Sequence, residues 1–205
     1  MKKHHVLVGL FVAGLAWSGV NPRDSFTWIL EVFPAILGLA ALALTYRKFR
    51  FTDMTYVFIL IHCFVLFVGG HYTYAEVPLF DWIRDALDQS RNNYDKVGHF
   101  MQGFVPAMIA RELFVRREII KTGVWQAVLT VAVCVTISVC YEFLEWFVAI
   151  ASGQSAEAFL GTQGDVWDTQ SDMLMAMIGA TAMVVLLSGV QDRQIGRMDA
   201  GATGR

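Results

Sequence analysis

Charge is scarce in this chain of 205 residues, of which 17% are charged and 56% hydrophobic. A soluble domain of this size must cover its surface with polar side chains, and 16 basic and 18 acidic residues are too few for that. Cysteine is equally scarce: the three residues, Cys63, Cys134 and Cys140, all fall within apolar segments, which excludes a disulfide scaffold. The net charge of -2 gives no indication of a nucleic-acid partner. The composition therefore excludes disordered and fibrous classes and predicts a protein surrounded mainly by membrane lipids.

Long apolar segments make up most of the chain. A helix needs roughly 17 to 25 residues to cross the hydrocarbon core of a bilayer, and six segments are candidates: residues 6–20, 25–46, 53–72, 95–114, 122–151 and 168–190. The sequence thus predicts an all-α, polytopic membrane bundle of about six transmembrane helices. The first segment follows Lys2 and Lys3 and also has features of a signal peptide, with Ala16-Trp17-Ser18 as a poor cleavage site. Because five more segments follow it, we expect this helix to be retained.

Lysine and arginine are distributed unevenly between the loops. Cytoplasmic loops collect these residues, and the division is clearest when both termini are cytoplasmic. The inner set is then Lys2, Lys3, Arg47, Lys48, Arg50, Arg111, Arg116, Arg117, Lys121, Arg193, Arg197 and Arg205, and the outer set is Arg23, Arg84, Arg91 and Lys96. We predict one bundle domain over residues 1–192 and a short cytoplasmic tail over residues 193–205.

The segment 76–94 is too polar to cross a membrane. Pro78 suits the first turn of a helix, and apolar residues follow it at helical spacing. These features predict a short amphipathic helix in the outer interface. Its aspartates, Asp81, Asp85 and Asp88, lie along the opposite side, as a solvated acidic face or as part of a lid over a site beneath.

Ionisable residues converge at the outer ends of the predicted spans, and the inner half is expected to be comparatively bare. Seven carboxylates reach this level with one span lysine, Lys96: Glu31, Asp95, Glu142, Glu145, Asp165, Asp168 and Asp172. So many negative charges repel one another unless some are protonated or a cation joins them. We therefore predict a divalent metal ion, with His71, Asp95, Glu145, Asp165, Asp168 and Asp172 as candidate ligands. The candidate catalytic residues are His99 or Glu142 as general base and Lys96 as the group that holds a substrate anion.

Each of these residues also has a purely structural interpretation. Asp95, Asp165 and Asp168 stand where side chains cap helices. His62, near the predicted midplane, is expected to be a neutral histidine hydrogen-bonded between helices. Gln102 and Tyr141 are candidates to support the site residues.

Four motifs carry a resemblance to a known family. The strings GGHYTY at 69–74, NYDKVGHF at 93–100, YEFLEW at 141–146 and GTQGDVWDTQSD at 161–172 resemble the YjdF-like family of bacterial inner membrane proteins. That family has no known function, so the resemblance implies only a six-helix multi-pass fold in the bacterial inner membrane. The distribution of lysine and arginine, in turn, predicts that the acidic residues lie on the periplasmic side. Asp95, Lys96, His99, Asp168 and Gly179 are also similar to a pattern in VanZ-like proteins, in which Asn tends to stand where this chain has Asp172.

Three functional hypotheses follow. The first is a metal-dependent membrane enzyme that acts on a lipid or lipid-linked headgroup at the outer leaflet. The second is a non-catalytic binding or assembly protein whose carboxylates form a network between helices. The third is a small transporter, which would require polar groups through the whole thickness of the membrane.

Overall fold

The computed structural model describes residues 2–152 and 162–203, and this part of the chain forms seven α-helices and no β-strand. Gly161 and Arg205, which the sequence motifs and the inner basic set include, lie outside the described residues. The all-α prediction is confirmed. The helices are α1 Lys2–Ser18, α2 Ser25–Thr45, α3 Asp53–Tyr72, α4 Pro78–Ala86, α5 Tyr94–Arg116, α6 Val124–Ser152 and α7 Asp168–Thr203.

Four of these helices are long and apolar enough to cross a membrane: α2, α3, α6 and the part of α7 from Asp168 to Met198. The other two predicted spans coincide with α1, which has 17 residues, and with α5, which carries charged residues near both of its ends. The remaining helix, α4, lies in the segment predicted to be interfacial. Its side chains Leu79 and Trp82 are exposed, as is Leu87 directly after it, as expected for a helix that rests on lipid.

The bundle has two chemically different ends. At one end, Ser18 at the close of α1 accepts a hydrogen bond from His71 at the close of α3, with 3.0 Å between the carbonyl oxygen and Nδ1. At the other end, His4 of α1 lies 3.0 Å from the carboxylate of Asp53, where α3 begins. We call the first end, where α2, α5 and α7 begin, the acidic end. We call the second end, where these helices approach the loops rich in arginine and lysine, the basic end.

Helix α5 lies at the centre of the packing. It contacts α3, α6 and α7, while α3 in turn contacts α1 and α2. Twelve of its 23 residues are buried, among them Asp95, His99, Arg111 and Glu112. A helix enclosed in this way does not need an apolar surface toward lipid, so α5 can carry charged residues near both of its ends.

Close approach of backbones joins α5 to α7. A β-carbon at Gly103 would overlap the main chain of Ala176, and one at Gly179 would overlap the carbonyl oxygen of Phe100. Small residues at such positions let two helices pack at short range within a membrane. The side chains of Phe104, Met108, Cys134, Ala180 and Met183 form a buried cluster at the same level.

The basic end holds a buried polar network, which corrects the expectation that the inner half of the spans is comparatively bare. Glu112 is fully buried, and its carboxylate accepts hydrogen bonds from the Thr52 amide at 2.8 Å and the Thr55 hydroxyl at 2.7 Å. Arg116 lies 3.0 Å from the same carboxylate. Every one of these groups is paired, so the network ties α3 to α5 at low cost in desolvation.

The described part of α7 extends beyond the predicted end of the domain. A tail was predicted from residue 193, but the helix continues without a break to Thr203. Gln194 accepts a hydrogen bond from the Met54 amide at 3.3 Å, and Ile195 is buried. These contacts hold the extension against the basic end, whereas the division into residues 1–192 and 193–205 stays a prediction.

Candidate functional site

Ion pairs between α5 and α7 form the centre of the acidic end. The Lys96 Nζ atom lies 2.7 Å from Asp168 Oδ1 and 2.7 Å from Asp172 Oδ1. It also lies 3.6 Å from Asp95 Oδ2, on its own helix. The three aspartates are buried, so these pairs form where little water competes for the charges. Lys96 thus joins the first turns of the two helices that pack most closely.

Arg91 is a further cation of this centre, although its position in the sequence predicts only a residue of the outer basic set. Its side chain is 7% exposed and hydrogen-bonds Asp168 Oδ1, while it lies 3.5 Å from both Asp95 and Asp165. Helical spacing could not have found this residue, because Arg91 lies three residues before α5 begins at Tyr94 and the four-residue rule applies within a helix.

The turn before α5 positions Arg91. The adjacent Asn92 is fully buried and donates hydrogen bonds from Nδ2 to the Val77 carbonyl and to Asp81, both at 3.0 Å. Its backbone amide donates to Gln163 Oε1 at 3.0 Å, and its carbonyl accepts from Gln163 Nε2 at 2.9 Å. The hydrogen bonds of Asn92 therefore connect the start of α4, the start of α5 and the segment before α7.

His99 completes a potential metal-binding group. Its Nε2 atom lies 3.3 Å from Asp95 Oδ1 and 3.8 Å from Asp172 Oδ1, and Nδ1 hydrogen-bonds Gln102 at 3.0 Å. Ligand atoms of Asp95, His99 and Asp172 all lie within 4.8 Å of one another. Ligands of one divalent ion stand about 2.0 to 2.6 Å from it, so atoms at this spacing can share an ion. Gln102 would fix the ring orientation from the second nitrogen.

Glu142 lies beside this group and is not fully paired. Its Oε1 atom is buried, has no hydrogen-bond partner among the described residues, and lies 3.8 Å from His99 Nδ1. An unpaired carboxylate oxygen away from water is costly, and a bound cation or its water would relieve that cost. Thr169 of α7 interacts with the same side chain.

Two further glutamates border the group from other helices. Glu145, one turn along α6, and Glu31 of α2 are both buried, and each interacts electrostatically with Asp95 and His99. Tyr141 interacts with Glu31 through its hydroxyl. Four helices therefore deliver acidic side chains to one region.

Tyr74 closes this region from the turn after α3. The residue has a φ of 55° and is 7% exposed, and its ring covers Gly69 and Gly98 so closely that a β-carbon at either position would collide with it. Its hydroxyl interacts with Glu31. Burial and the nearby carboxylate together raise the pKa of Tyr74 well above its ordinary value, so the phenol stays protonated and can donate to Glu31.

Not every predicted site residue joins the cluster. The structure brings Asp95, Lys96, His99, Glu142, Glu145, Asp168 and Asp172 together. His71 lies apart, with its ring stacked on Trp17 and its Nδ1 atom on the Ser18 carbonyl. The carboxylate of Asp165 lies at the rim, 34% exposed, and accepts a hydrogen bond from the Trp167 amide at 2.9 Å.

The helix-capping interpretation fits these aspartates unequally. It describes Asp165, whose side chain does bind a backbone amide. It does not describe Asp168, whose Oδ1 atom accepts from Arg91 and Lys96 instead. Asp95 likewise faces Arg91, Lys96 and His99.

The cluster carries an excess of negative charge. Seven carboxylates face two permanent cations among the described residues, Arg91 and Lys96, with His99 as a third basic group. Asp168 and Asp172 are paired with those cations, while Glu31, Glu142 and Glu145 have none that close. Such an arrangement favours a divalent cation or retained protons on the glutamates.

The chain is similar to known proteins along most of its length. Residues 3–193 match the family described as "Predicted membrane protein (DUF2238)". The chain is 45% identical over 183 residues to "Inner membrane protein YjdF" of Escherichia coli (strain K12), a match that covers 89% of this chain and 88% of that relative. No solved structure matches the chain. The resemblance to the YjdF-like family is confirmed by these comparisons.

Proposed function

We infer that this chain, which belongs to the DUF2238 family of predicted membrane proteins, binds a divalent cation at its acidic end and uses it to act on a lipid or lipid-linked headgroup. One observation carries the proposal. Ligand atoms of Asp95, His99 and Asp172 lie within 4.8 Å of one another, beside a buried oxygen of Glu142 that has no hydrogen-bond partner among the described residues.

The proposal includes an orientation in the bacterial inner membrane. Arginine and lysine are concentrated at the basic end, which the positive-inside rule assigns to the cytoplasm. Helices α1 and α5 would then cross the membrane together with the four apolar helices, both termini would be cytoplasmic, and α4 would rest on the outer leaflet. The acidic end would face the periplasm, at the depth of lipid headgroups.

The residues of the acidic end suit different roles in such a site. A divalent cation polarises a phosphoryl oxygen and activates a bound water molecule. His99 presents Nε2 toward the two aspartates, which suits a ligand better than the general base that the sequence predicted. Glu142, with its unpaired oxygen, suits the base. Lys96 is already paired with Asp168 and Asp172, and Arg91 is paired with Asp168. Each cation could therefore bind a substrate phosphate only while it keeps these aspartates as partners.

Metal analysis of the detergent-purified chain tests the first half of the proposal. We expect one divalent ion per chain by elemental mass spectrometry, lost in Asp172→Asn, which preserves side-chain volume. Asp192→Asn is the matched control, because Asp192 lies on the same helix and pairs with Arg111 at the basic end, 2.8 Å away. Absence of metal from the wild-type chain after supplementation with Mg²⁺, Mn²⁺, Ca²⁺ and Zn²⁺ in turn, or full occupancy in Asp172→Asn, would overturn it.

Turnover tests the second half. The purified chain is reconstituted with phospholipids or with a polyprenyl diphosphate, and the release of a headgroup or phosphate is followed by mass spectrometry. Glu142→Gln should abolish release yet keep the metal, since Glu142 is assigned as the base. Release that is the same in Glu142→Gln, or that persists in the presence of a chelator, contradicts the assigned chemistry.

A structural network is the second candidate function, and the ion pairs themselves favour it. Lys96 bridges Asp168 and Asp172, and Arg91 bridges Asp95 and Asp168, so that charged groups join α5 to α7 without any ligand. This alternative expects Asp168→Asn to lower the melting temperature in detergent and the chain to bind no metal. The transporter hypothesis stays a prediction.

A further inference from the structure

A cavity lies in the half of the bundle that approaches the basic end. It has a volume of about 660 Å³ and lies between α1, α2, α3 and α5, where Phe11, Leu39, Leu60 and Val105 are among the side chains that line it. Its wall is almost entirely apolar, and its volume is within the range of roughly 300 to 1,000 Å³ typical of ligand pockets. None of the residues of the acidic cluster lines it.

Small residues of α2 create this space. The wall from this helix includes Pro34, Ala35, Gly38 and Ala43, and a β-carbon at Gly38 would meet no atom within 4 Å. The lining extends from Pro34 on α2 to Arg47, in the turn just after this helix, about 13 residues, which at ~1.5 Å per residue is roughly 20 Å. The hydrocarbon core of a bilayer is about 30 Å thick, and one acyl chain occupies half of that thickness in its leaflet. The lining is therefore somewhat longer than the depth of one acyl chain.

Two basic side chains lie where the cavity meets the basic end. Arg47 and His5 line it, both are exposed, and neither makes a hydrogen bond or ion pair with a residue in the described ranges. By contrast, His4 is bound to Tyr46 and Asp53. An apolar cavity that ends at free basic side chains is complementary to a molecule with a long apolar chain and an anionic head.

We propose that this cavity binds one acyl chain of an anionic glycerophospholipid of the inner leaflet, with the lipid phosphate held by Arg47 and His5. The second acyl chain remains in the bilayer beside α1 and α2. This site is separate from the acidic cluster, so it stands or falls independently of the metal-dependent activity proposed above.

His62 makes the proposal sharper, because it is a polar residue in the wall of this mainly apolar cavity. The imidazole lines the wall, yet it has no hydrogen-bond partner in the part of the chain that the structure describes, which differs from the bond between helices expected from the sequence. A hydrocarbon chain leaves this ring unpaired, whereas water in a transport pathway would pair with it. His62→Leu should therefore strengthen lipid retention, and weaker retention would contradict an acyl chain as the occupant.

Native mass spectrometry of the full chain, purified in detergent and supplied with either phosphatidylglycerol or phosphatidylcholine, tests the site. We expect one retained phosphatidylglycerol and less phosphatidylcholine. Gly38→Phe fills the cavity and should remove the retained lipid, while Gly9→Phe should not, since Gly9 is equally open but does not line the cavity. Circular dichroism confirms that both variants are folded.

The headgroup contact has its own matched pair. Arg47→Gln should abolish the preference for phosphatidylglycerol over phosphatidylcholine, while Lys48→Gln, next along the chain but outside the cavity wall, should preserve it. Equal retention in Gly38→Phe and Gly9→Phe would show that the lipid binds elsewhere on the surface, and equal selectivity in Arg47→Gln and Lys48→Gln would refute the anionic contact.

Discussion

The contact between α5 and α7 leaves no room for a side chain at Gly179, which makes a single methyl group a strong perturbation. In Gly179→Ala the new β-carbon would overlap the Phe100 carbonyl oxygen, a backbone atom that cannot rotate away. Overpacking of this kind costs about 1 to 3 kcal/mol. At Gly189, on the same helix, a β-carbon meets nothing within 4 Å, so Ala there should stabilise the helix by about 0.5 to 1 kcal/mol.

The helix-propensity gain of alanine is common to both variants, so they should differ by the overpacking cost alone, about 1 to 3 kcal/mol in the free energy of unfolding, with Gly179→Ala the less stable. Unfolding in mixtures of dodecyl sulfate and a mild detergent, followed by circular dichroism, measures this difference. Reactivity of the Cys134 thiol, which is fully buried between α5, α6 and α7, gives an independent readout, with Cys140 replaced by serine. Gly179→Ala that is as stable as Gly189→Ala would refute the close approach of the two helices.

Three further predictions concern other parts of the bundle. Glu112→Gln presents an amide N–H₂ to the donors of Thr52 and should destabilise the chain by about 1 to 3 kcal/mol in the same assay, while the exposed Glu118→Gln should have little effect. Asp24→Ala removes the N-cap of α2, at a cost of about 1 kcal/mol in the free energy of unfolding. Because the hydrogen bond from the backbone lowers the pKa of Asp24 in the folded state, the stability advantage of the wild type should be full above pH 4 and should decline as the pH falls through the folded pKa. Melting curves of both proteins at pH 7 and pH 3 would show this change. Chelation should lower the melting temperature of the wild-type chain but not that of Asp172→Asn, since a ligand that binds only the folded state stabilises it.

Helix positions were largely predictable because apolar length decides them. The predicted and observed bounds of α2 and α3 agree to within one residue, and α4 begins at the predicted Pro78. The end of α7 was not predictable in this way. It depends on contacts with other elements, such as the hydrogen bond between Gln194 and Met54, that no local pattern reveals.

The sequence could predict that the acidic residues gather at one end of the bundle, but not which of them contact one another. Depth along a helix follows from residue counting, and this brought Asp95, Glu142 and Asp172 to one end correctly. Which way a side chain faces around its helix does not follow from depth, and His71 accordingly points to α1 instead of the cluster. Arg91 was missed because it precedes the first turn of its helix, where a loop position was assumed.

The burial of charge on α5 has a consequence for biogenesis. A segment that carries Asp95, Lys96, Arg111 and Glu112 partitions poorly into lipid by itself, since each such group is costly at membrane depth. Much of what pairs with these groups belongs to α7, which is synthesised some 50 residues later. In the proposed topology, stable integration of α5 therefore depends on a helix that has not yet left the ribosome, so α5 would reach its final position only after α7 is synthesised.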